Sequence, residues 1–364
     1  MNKYYGGKHM NRGINFRETI KFAGTYISVC IGSGFATGQE IMQFFSAQGM
    51  ISILSSLICM VILAYCGGSL LEIGKESRLR SNNEIYTYLC GNHIGSFLKF
   101  FMPIFFFLSF VIMIAGAGAS INQYYGLDKL MGSLILAIIS LISVLMGMNK
   151  LIDILGNIGP MIVIISVGIG IVSISRNFEY IDSINETISS LNVTKAVDNW
   201  FLSGIIYAGL NLIIATPFLT GVGSTAKNRN SCIYGGIIGG VTFMVAAIAL
   251  NIGIMLDIQD VYMTEIPTLF MANEIGPIVG IMFSLMLIAG IYTTAVPLLW
   301  GVCTSFAKEK TKGFTYIAVF CCAIGFILSK IPFTKLVNLI YPLSGLFGVV
   351  IILGIIIKKF KLNK

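Results

Sequence analysis

The first long apolar run of the chain has at its centre Ile27-Ser28-Val29-Cys30-Ile31-Gly32-Ser33-Gly34-Phe35-Ala36-Thr37-Gly38-Gln39-Glu40. Three glycines and three hydroxyl residues interrupt the apolar pattern there. Each glycine inside a helix costs roughly 1 kcal/mol relative to alanine. A helix with this composition unwinds easily, and an unwound stretch frees backbone N–H and C=O groups to bind a ligand. The stretch therefore predicts a broken helix.

Ten apolar runs of membrane-spanning length follow one another along the chain. About 20 apolar residues in a helix cross the hydrocarbon layer, and in lipid only a helix satisfies its own backbone hydrogen bonds over such a run. The ten predicted helices cover residues 17–47, 51–74, 97–122, 129–148, 151–175, 198–223, 231–256, 276–306, 313–330 and 335–358. The sequence thus predicts an all-α polytopic membrane protein.

Composition supports a lipid-facing surface and argues against a nucleic-acid partner. The 364 residues are 56% hydrophobic and 11% charged, whereas soluble domains carry roughly 25% charged residues. The net charge is +8, but the basic residues lie in short segments between apolar runs and not on one basic face. We expect the lipid bilayer as a partner and no nucleic acid.

The distribution of lysine and arginine predicts the orientation in the cell membrane. With both termini placed in the cytoplasm, 19 basic residues lie inside and 5 lie outside. Cytoplasmic loops carry the excess of basic residues in membrane proteins. The predicted inner residues are Lys3, Lys8, Arg12, Arg17, Lys21, Lys75, Arg78, Arg80, Lys99, Lys150, Lys227, Arg229, Lys308, Lys310, Lys312, Lys358, Lys359, Lys361 and Lys364. The sequence therefore predicts a multi-pass protein of the plasma membrane with cytoplasmic termini.

The ten helices divide into two halves of nearly equal length. Residues 17–175 and 198–358 each contain five helices, so the second half enters the membrane from the opposite side as an inverted repeat. Residues 1–16, 176–197 and 359–364 are then a cytoplasmic segment, an extracellular loop and a cytoplasmic tail. The sixth helix, like the first, is predicted to break at mid-membrane, since Gly209, Asn211 and Pro217 lie there. The alternative is that its glycines only permit close packing.

The stretch Gly32-Ser33-Gly34-Phe35-Ala36-Thr37-Gly38-Gln39-Glu40-Ile41 closely resembles the signature of the YkvI-like amino acid permeases. These belong to the amino acid–polyamine–organocation (APC) superfamily, whose fold is the five-plus-five inverted repeat named after LeuT. The resemblance extends over essentially the whole chain by helix count and spacing. It implies an amino acid transporter with its site at the breaks of the first and sixth helices.

The resemblance also implies a substrate site. In relatives with this fold, backbone N–H groups at the first break hold the substrate carboxylate, which here are those of Ser33 and Gly34, and a helix amino terminus attracts anions on physical grounds. Tyr207 and Asn211 are four residues apart, share a face of an intact helix and offer hydrogen bonds. An aromatic core role is the alternative for Tyr207. The predicted substrate-binding residues are Gly32, Ser33, Gly34, Thr37, Tyr207, Ala208 and Asn211.

A sodium site is implied between the first and eighth helices. The expected ligands are the carbonyls of Ser28, Ile31 and Gly290 and the hydroxyls of Thr293 and Thr294. Five neutral oxygens suit a hard monovalent cation. The alternative is that both hydroxyls bond back to carbonyls of their own helix.

Two departures from the family pattern bear on ion coupling. Phe35 stands where relatives with a further sodium site have an asparagine, which argues against a second sodium ion. Proton-coupled relatives often carry a lysine on the fifth helix, and the basic residue available there is Lys150, at its very start. The pattern favours sodium over protons.

Glu40 is the most informative charge, because a carboxylate at membrane depth is costly and usually functional. Three roles compete: it binds a substrate ammonium or cationic side chain, it couples transport to protons, or it pairs with a cation such as Lys335 in an outer gate. A structural role is the alternative, with hydrogen bonds to Gln39, Gln43 or the backbone. The sequence does not rank these roles.

The sequence predicts a secondary transporter without a cofactor, with Na⁺ as a possible coupling ion. The first hypothesis is sodium-coupled uptake of a small zwitterionic solute, such as an amino acid, by alternating access. The second is proton coupling, exchange or export on the same fold, and the third is a nutrient-sensing receptor shaped like a transporter. An enzyme is disfavoured, because the sequence shows no catalytic constellation. The sequence predicts neither the oligomeric state nor the particular solute.

Overall fold

The computed structural model describes residues 14–77, 84–147 and 152–362, with the backbone alone at Ser33, 152–160 and 361–362. Within these ranges the chain is helical and contains no strand. The helices are α1 (Phe16–Cys30), α2 (Ser33–Thr37), α3 (Gln39–Phe44), α4 (Ser52–Glu76), α5 (Glu84–Tyr125), α6 (Lys129–Met146), α7 (Ile152–Asn177), α8 (Ile184–Ser190), α9 (Trp200–Gly223), α10 (Arg229–Leu256), α11 (Ile258–Val261), α12 (Pro267–Ile275), α13 (Pro277–Phe306), α14 (Lys312–Leu328) and α15 (Phe333–Leu362). Most of the predicted segment 1–16 lies outside the described residues, as do Arg78, Arg80, Lys150 and Lys364.

Each predicted membrane helix has a counterpart among the described residues. Eight helices there are long and apolar enough to cross a membrane. The ninth predicted helix corresponds to α14, an apolar helix of 17 residues. The first predicted helix is divided into α1, α2 and α3. The third is longer than predicted: α5 begins at Glu84 and departs from helical geometry at Gly91.

The predicted break in the first helix is present. α1 ends at Cys30, and Ile31 and Gly32 adopt extended backbone conformations before α2 begins. α2 has five residues and ends at Gly38, whose φ of 73° lies in the left-handed region that glycine adopts without strain. α3 then continues toward Phe44. The glycines of the quoted stretch therefore mark both ends of the interruption.

The predicted break in the sixth helix is not found, because α9 is continuous from Trp200 to Gly223. A side chain on Gly209 would overlap the carbonyl oxygen of Gly345 on α15, so this glycine permits two helices to approach closely. Asn211 Nδ2 donates to the carbonyl of Tyr207, and Thr216 Oγ1 donates to that of Leu212. The side chains of Asn211 and Thr216 thus bond to their own helix.

The helices pack as two related groups of four. One group, the "bundle", comprises α1, α4, α9 and α10, and the other, the "scaffold", comprises α5, α6, α13 and α14. The two helix pairs of each group come from equivalent positions in the two halves of the chain, as an inverted repeat requires. α7 and α15 flank both groups, but α15 packs extensively on α9 whereas its counterpart α7 touches α1 only slightly.

Loops alternate between two ends of the molecule, which we name by the predicted orientation. At the inner end, the N–H of Asn15 donates to Ser231 and that of Lys227 donates to Glu18. There the buried carboxylate of Glu72 also pairs with Arg229 and Lys359, which joins α4, α10 and the end of α15. The outer end carries the segments 178–199 and 257–276.

Candidate functional site

A cavity of about 260 Å³ lies where the interrupted first helix faces α9, α13, α5 and α15. Its wall includes the end of α1, the linking residues 31–32 and the side chain of Glu40. Phe218 lines the cavity, lies toward the inner end of α9 and is exposed, whereas Ser28 lines it at mid-molecule, near the end of α1. The cavity therefore extends from mid-molecule toward the inner end, between bundle and scaffold.

The cavity brings together residues predicted for the substrate site and residues predicted for the sodium site. Those that line it are Ser28, Ile31, Gly32, Gly34, Glu40, Asn211, Thr293 and Thr294. Thr37, Tyr207, Ala208 and Gly290 are buried behind this wall, and Ser33 is described by its backbone only, as the first residue of α2. Thr37 Oγ1 donates to the carbonyl of Gly34, so it supports the short helix.

The carboxylate of Glu40 reaches back across the turn between α2 and α3. Its Oε1 accepts a hydrogen bond of 3.0 Å from the Tyr207 hydroxyl. Its Oε2 lies against Gly34, where a side chain would overlap it. The Glu40 side chain is 7% exposed, and among the described residues no lysine, arginine or histidine lies within 4.0 Å of its oxygens. Glu40 is thus a buried carboxylate that one donor among the described residues holds.

The alternative partners suggested for Glu40 lie elsewhere. Lys335 is exposed and forms no ion pair with it. Gln43 donates to the carbonyl of Thr334 and accepts from Asn338, and no hydrogen bond between Gln39 and Glu40 is found in the described residues. The geometry therefore joins Glu40 to the cavity and not to a gate at the outer end.

The two threonines of α13 both donate to one carbonyl. Thr293 Oγ1 and Thr294 Oγ1 lie 2.9 Å and 3.0 Å from the oxygen of Gly290. Both hydroxyls therefore bond back to their own helix, and each oxygen keeps lone pairs for a cation. Both also face the cavity with Ser28 and Ile31, whose carbonyls belong to the unwound end of α1. Of the predicted donor set, these four residues present neutral oxygens suited to a sodium ion, whereas the Gly290 carbonyl accepts both hydroxyls and does not line the cavity.

Two cavity residues were missed by the sequence analysis. Ser109 of α5 is 4% exposed, and its Oγ has no hydrogen-bond partner among the described residues. It is the single hydroxyl within the apolar run 104–113, which was a usable signal. Tyr341 of α15 packs against Gly34 and stands directly before Pro342, a proline inside a membrane helix that was a usable signal for this position.

The outer side of the site is closed by buried rings that we call the aromatic septum: Phe35, Phe44, Phe45, Tyr207 and Phe243. The Tyr207 ring lies 5.3 Å from that of Phe44 and 4.9 Å from that of Phe45, centroid to centroid. Beyond them α12 covers the turn at Gly38, and Thr268 Oγ1 donates to the carbonyl of Ala36. The site is therefore closed toward the outer end.

Comparison with known proteins places these observations in context. No protein-family model matches the chain. The chain is 26% identical over 344 residues to the uncharacterized membrane protein YkvI of Bacillus subtilis (strain 168), covering 93% of this chain and 95% of that one. It is 22% identical over 348 residues to the uncharacterized protein YyaD of the same organism, covering 94% and 97%.

Solved structures share the architecture at low sequence identity. MhsT in complex with L-phenylalanine matches with a TM-score of 0.60 and 15% identity, over 92% of this chain and 88% of that chain. Mhp1, a nucleobase-cation-symport-1 family transporter with bromovinylhydantoin bound, gives 0.54 and 12%, over 90% and 75%. A mutant of the Eremococcus coleocola manganese transporter gives 0.51 and 10%, over 91% and 76%. The chain is a membrane protein homologous to YkvI, with the fold of LeuT-type transporters.

Proposed function

We propose that this chain is a secondary transporter that takes up a small zwitterionic solute, such as an amino acid, together with sodium. The observation that supports this most is the shared cavity, which joins the interrupted first helix to Asn211, Thr293 and Thr294. The neighbour MhsT is described with L-phenylalanine bound, which supports an amino acid as the solute. Sodium is the co-substrate of this proposal and would be held by the α13 hydroxyls and α1 carbonyls.

Alternating access would follow from movement of the bundle against the scaffold. The cavity lies between these two groups, and its predicted cation ligands come from α1 of the bundle and α13 of the scaffold. A cation that contacts both groups stabilises the arrangement in which they are close together. Sodium would thus favour the conformation that receives the solute.

Uptake into proteoliposomes tests this proposal. We would measure uptake of labelled amino acids under a sodium gradient and under a potassium gradient of equal ionic strength. The variant Thr293→Val/Thr294→Val removes both predicted sodium ligands. Thr304→Val is the matched control, since its hydroxyl also bonds back to α13 but lies outside the cavity.

We expect uptake of at least one amino acid that requires sodium, is lost in the double variant and persists in Thr304→Val. Uptake that is equal in sodium and potassium would reject sodium coupling. Absence of any amino acid uptake would reject the solute class.

A second candidate is proton-coupled transport or exchange through Glu40. It is favoured by the carboxylate itself, which faces the cavity without a cation among the described residues. It predicts uptake that follows a pH gradient without sodium and is abolished in Glu40→Gln. The same proteoliposomes distinguish it from sodium coupling.

A further inference from the structure

The charges that face the cavity indicate the charge of the group that binds there, an inference that rests on the proposed function. Glu40 is the only ionisable carboxylate among the described residues that line the cavity, and none of these is lysine, arginine or histidine. A buried carboxylate is costly unless a cation or several donors compensate it. Tyr207 supplies one donor. The site therefore lacks a positive charge, which a ligand can bring.

Besides the predicted sodium ligands, side chains from three helices offer hydrogen-bond acceptors to the cavity. Glu40 on α3 offers Oε2, because Tyr207 donates to Oε1. Asn211 on α9 donates its Nδ2 to the Tyr207 carbonyl, which leaves its amide oxygen as an acceptor. Ser109 on α5 has a buried hydroxyl without a partner in the described part of the chain. An ammonium group has three N–H donors and no acceptor, so its chemistry matches this set.

A carboxylate group of the solute finds much poorer surroundings near Glu40. Like charges repel each other strongly where water is excluded. The Oε2 atom of Glu40 already lies against Gly34, at the start of α2, where the resemblance to known permeases puts the substrate carboxylate. A solute carboxylate would therefore have to lie away from this break, and without a protein cation it would need sodium as its partner.

Much of the remaining wall is apolar and indicates the chemistry of the body of the solute. Phe106, Met113, Leu210, Ile214 and Leu298 contribute side chains to it. Apolar lining with a few polar groups is typical of sites for small molecules, in which the apolar part supplies affinity and the polar part orientation. The cavity of about 260 Å³ suits a solute the size of an amino acid with an aliphatic or aromatic side chain.

We propose that Glu40 is the counter-ion of an ammonium group on the transported solute, so that the site selects apolar amines, with or without a carboxylate. The amine binds at Glu40, Asn211 and Ser109, and the apolar body lies toward the inner end. For an amine without a carboxylate, the carboxylate and the ammonium group neutralise each other. For an amino acid, sodium balances the additional carboxylate.

Thermal unfolding of the purified protein with matched ligands tests this assignment, because specific binding raises Tm by mass action. One series is 3-methylbutylamine, L-leucine and 4-methylpentanoate, and a second is 2-phenylethylamine, L-phenylalanine and 3-phenylpropanoate. Each is measured in sodium and in potassium medium. The variants are Glu40→Gln, which keeps the shape and removes the charge, and Glu179→Gln, which removes an exposed charge in the outer segment.

We expect at least one amine to raise Tm in both media, its amino acid to do so more strongly in sodium, and the acid without an amine to have no effect. Glu40→Gln should weaken amine binding roughly 10- to 100-fold, the range for a lost charged hydrogen bond, and Glu179→Gln should not. The ranking of amine, amino acid and acid is measured on wild-type protein alone, so the proposal can still be tested if the Glu40→Gln variant fails to fold.

The opposite results separate this inference from the proposed function. If the acids bind as well as the amines, or if amines bind only in sodium, Glu40 is not their counter-ion, although transport stands. If Glu40→Gln folds and binds amines as tightly as wild type, the assignment is likewise wrong. If none of these ligands binds and proteoliposomes take up no amino acid, both proposals fail.

Discussion

Gly34 and Gly32 are two residues apart at the break of the first helix, yet an added methyl group would meet different surroundings at each. At Gly34 it would overlap the Glu40 carboxylate and lie 3.1 Å from the Tyr341 ring, whereas at Gly32 nothing lies within 4 Å. Gly32 also has an extended backbone that alanine adopts without strain. Comparing substitutions at Gly34 and Gly32 therefore distinguishes the effect of displacing the Glu40 carboxylate from the general effect of replacing a glycine.

We predict that Gly34→Ala weakens solute binding while Gly32→Ala has little effect. The methyl group would displace the Oε2 atom that is proposed to bind the solute amine, and a hydrogen bond to a charged group contributes roughly 1.5–3 kcal/mol. Binding should fall by about 10- to 100-fold. Ligand-induced Tm shifts measure this, with Tm of the ligand-free variants as the control for folding. Equal affinities of the two variants would contradict the role given to Gly34.

For individual residues, the sequence indicated which types of residue form the site better than it indicated their contacts. Glu40 was singled out because a carboxylate is rare at membrane depth, but its bond to Tyr207 joins residues 167 positions apart. That contact depends on the packing of α3 against α9, which no local pattern encodes. Ser109 was missed for the same reason, since an isolated serine in an apolar helix commonly bonds to its own backbone.

At the scale of elements, the turn between α2 and α3 couples the site to the outer cover. Gly38 forms the turn with φ of 73°, and a side chain there would lie 2.7 Å from the Thr268 methyl carbon on α12. Gly126, between α5 and α6, has φ of 67° with nothing within 4 Å. Both positions have a left-handed backbone conformation, but of the two only Gly38 is crowded by neighbouring atoms.

We predict that Gly38→Ala destabilises the protein more than Gly126→Ala does. The left-handed conformation costs a non-glycine residue roughly 1–2 kcal/mol at either position, and overpacking adds about 1–3 kcal/mol at Gly38. Thermal unfolding in detergent measures the difference. Adding Thr268→Ser to Gly38→Ala should restore part of the loss, because serine lacks the crowding methyl group but keeps the hydroxyl that donates to Ala36. No rescue would mean that α12 does not press on this turn.

The two helices that were predicted to be interrupted show what a local pattern predicts about an element. The first was predicted correctly, because its glycines lie at the exact ends of short helices and one of them has positive φ. The second was not, because Gly209 serves the contact with Gly345 and Gly348 on α15. A glycine in a membrane helix permits either unwinding or close packing. Which of the two occurs depends on whether a neighbouring helix packs against the glycine.

At the scale of the whole molecule, the loops segregate to two ends as the count of ten helices requires. The predicted assignment of these ends to cytoplasm and exterior can be tested directly. Ser189 is exposed in the outer segment, and Lys308 is exposed at the inner end. The eight native cysteines are buried or half-buried, which gives a low labelling background.

We predict that a membrane-impermeant maleimide labels Ser189→Cys in intact cells and leaves Lys308→Cys unlabelled until the cells are opened. The reason is the excess of lysine and arginine at the inner end, which retains those loops in the cytoplasm. The parent protein is the control for native thiols. The reverse labelling pattern would invert the orientation and with it the direction in which the cavity opens.

The overall architecture was predictable from hydropathy, charge and equal halves, whereas the conformational state was not. The inverted repeat predicts that α7 and α15 are equivalent, yet α15 packs mainly on α9 whereas α7 packs mainly on α10 and only slightly on α1, the counterpart of α9. That asymmetry, together with the closed outer end, distinguishes one state of an alternating pair. Both states arise from one sequence, so a pattern in the sequence cannot select between them.

The aromatic septum also determines where the membrane voltage falls. Water that enters the cavity from the inner end would carry the potential of that side toward Glu40, so the electric field would be concentrated across the buried rings that separate Glu40 from the outer end. Moving one elementary charge through 100 mV changes its energy by roughly 2.3 kcal/mol. A cation that reaches Glu40 from the inner end crosses little of this field, whereas one that arrives from the outer end crosses most of it. A negative interior would then draw cations inward through the site and scarcely affect their release.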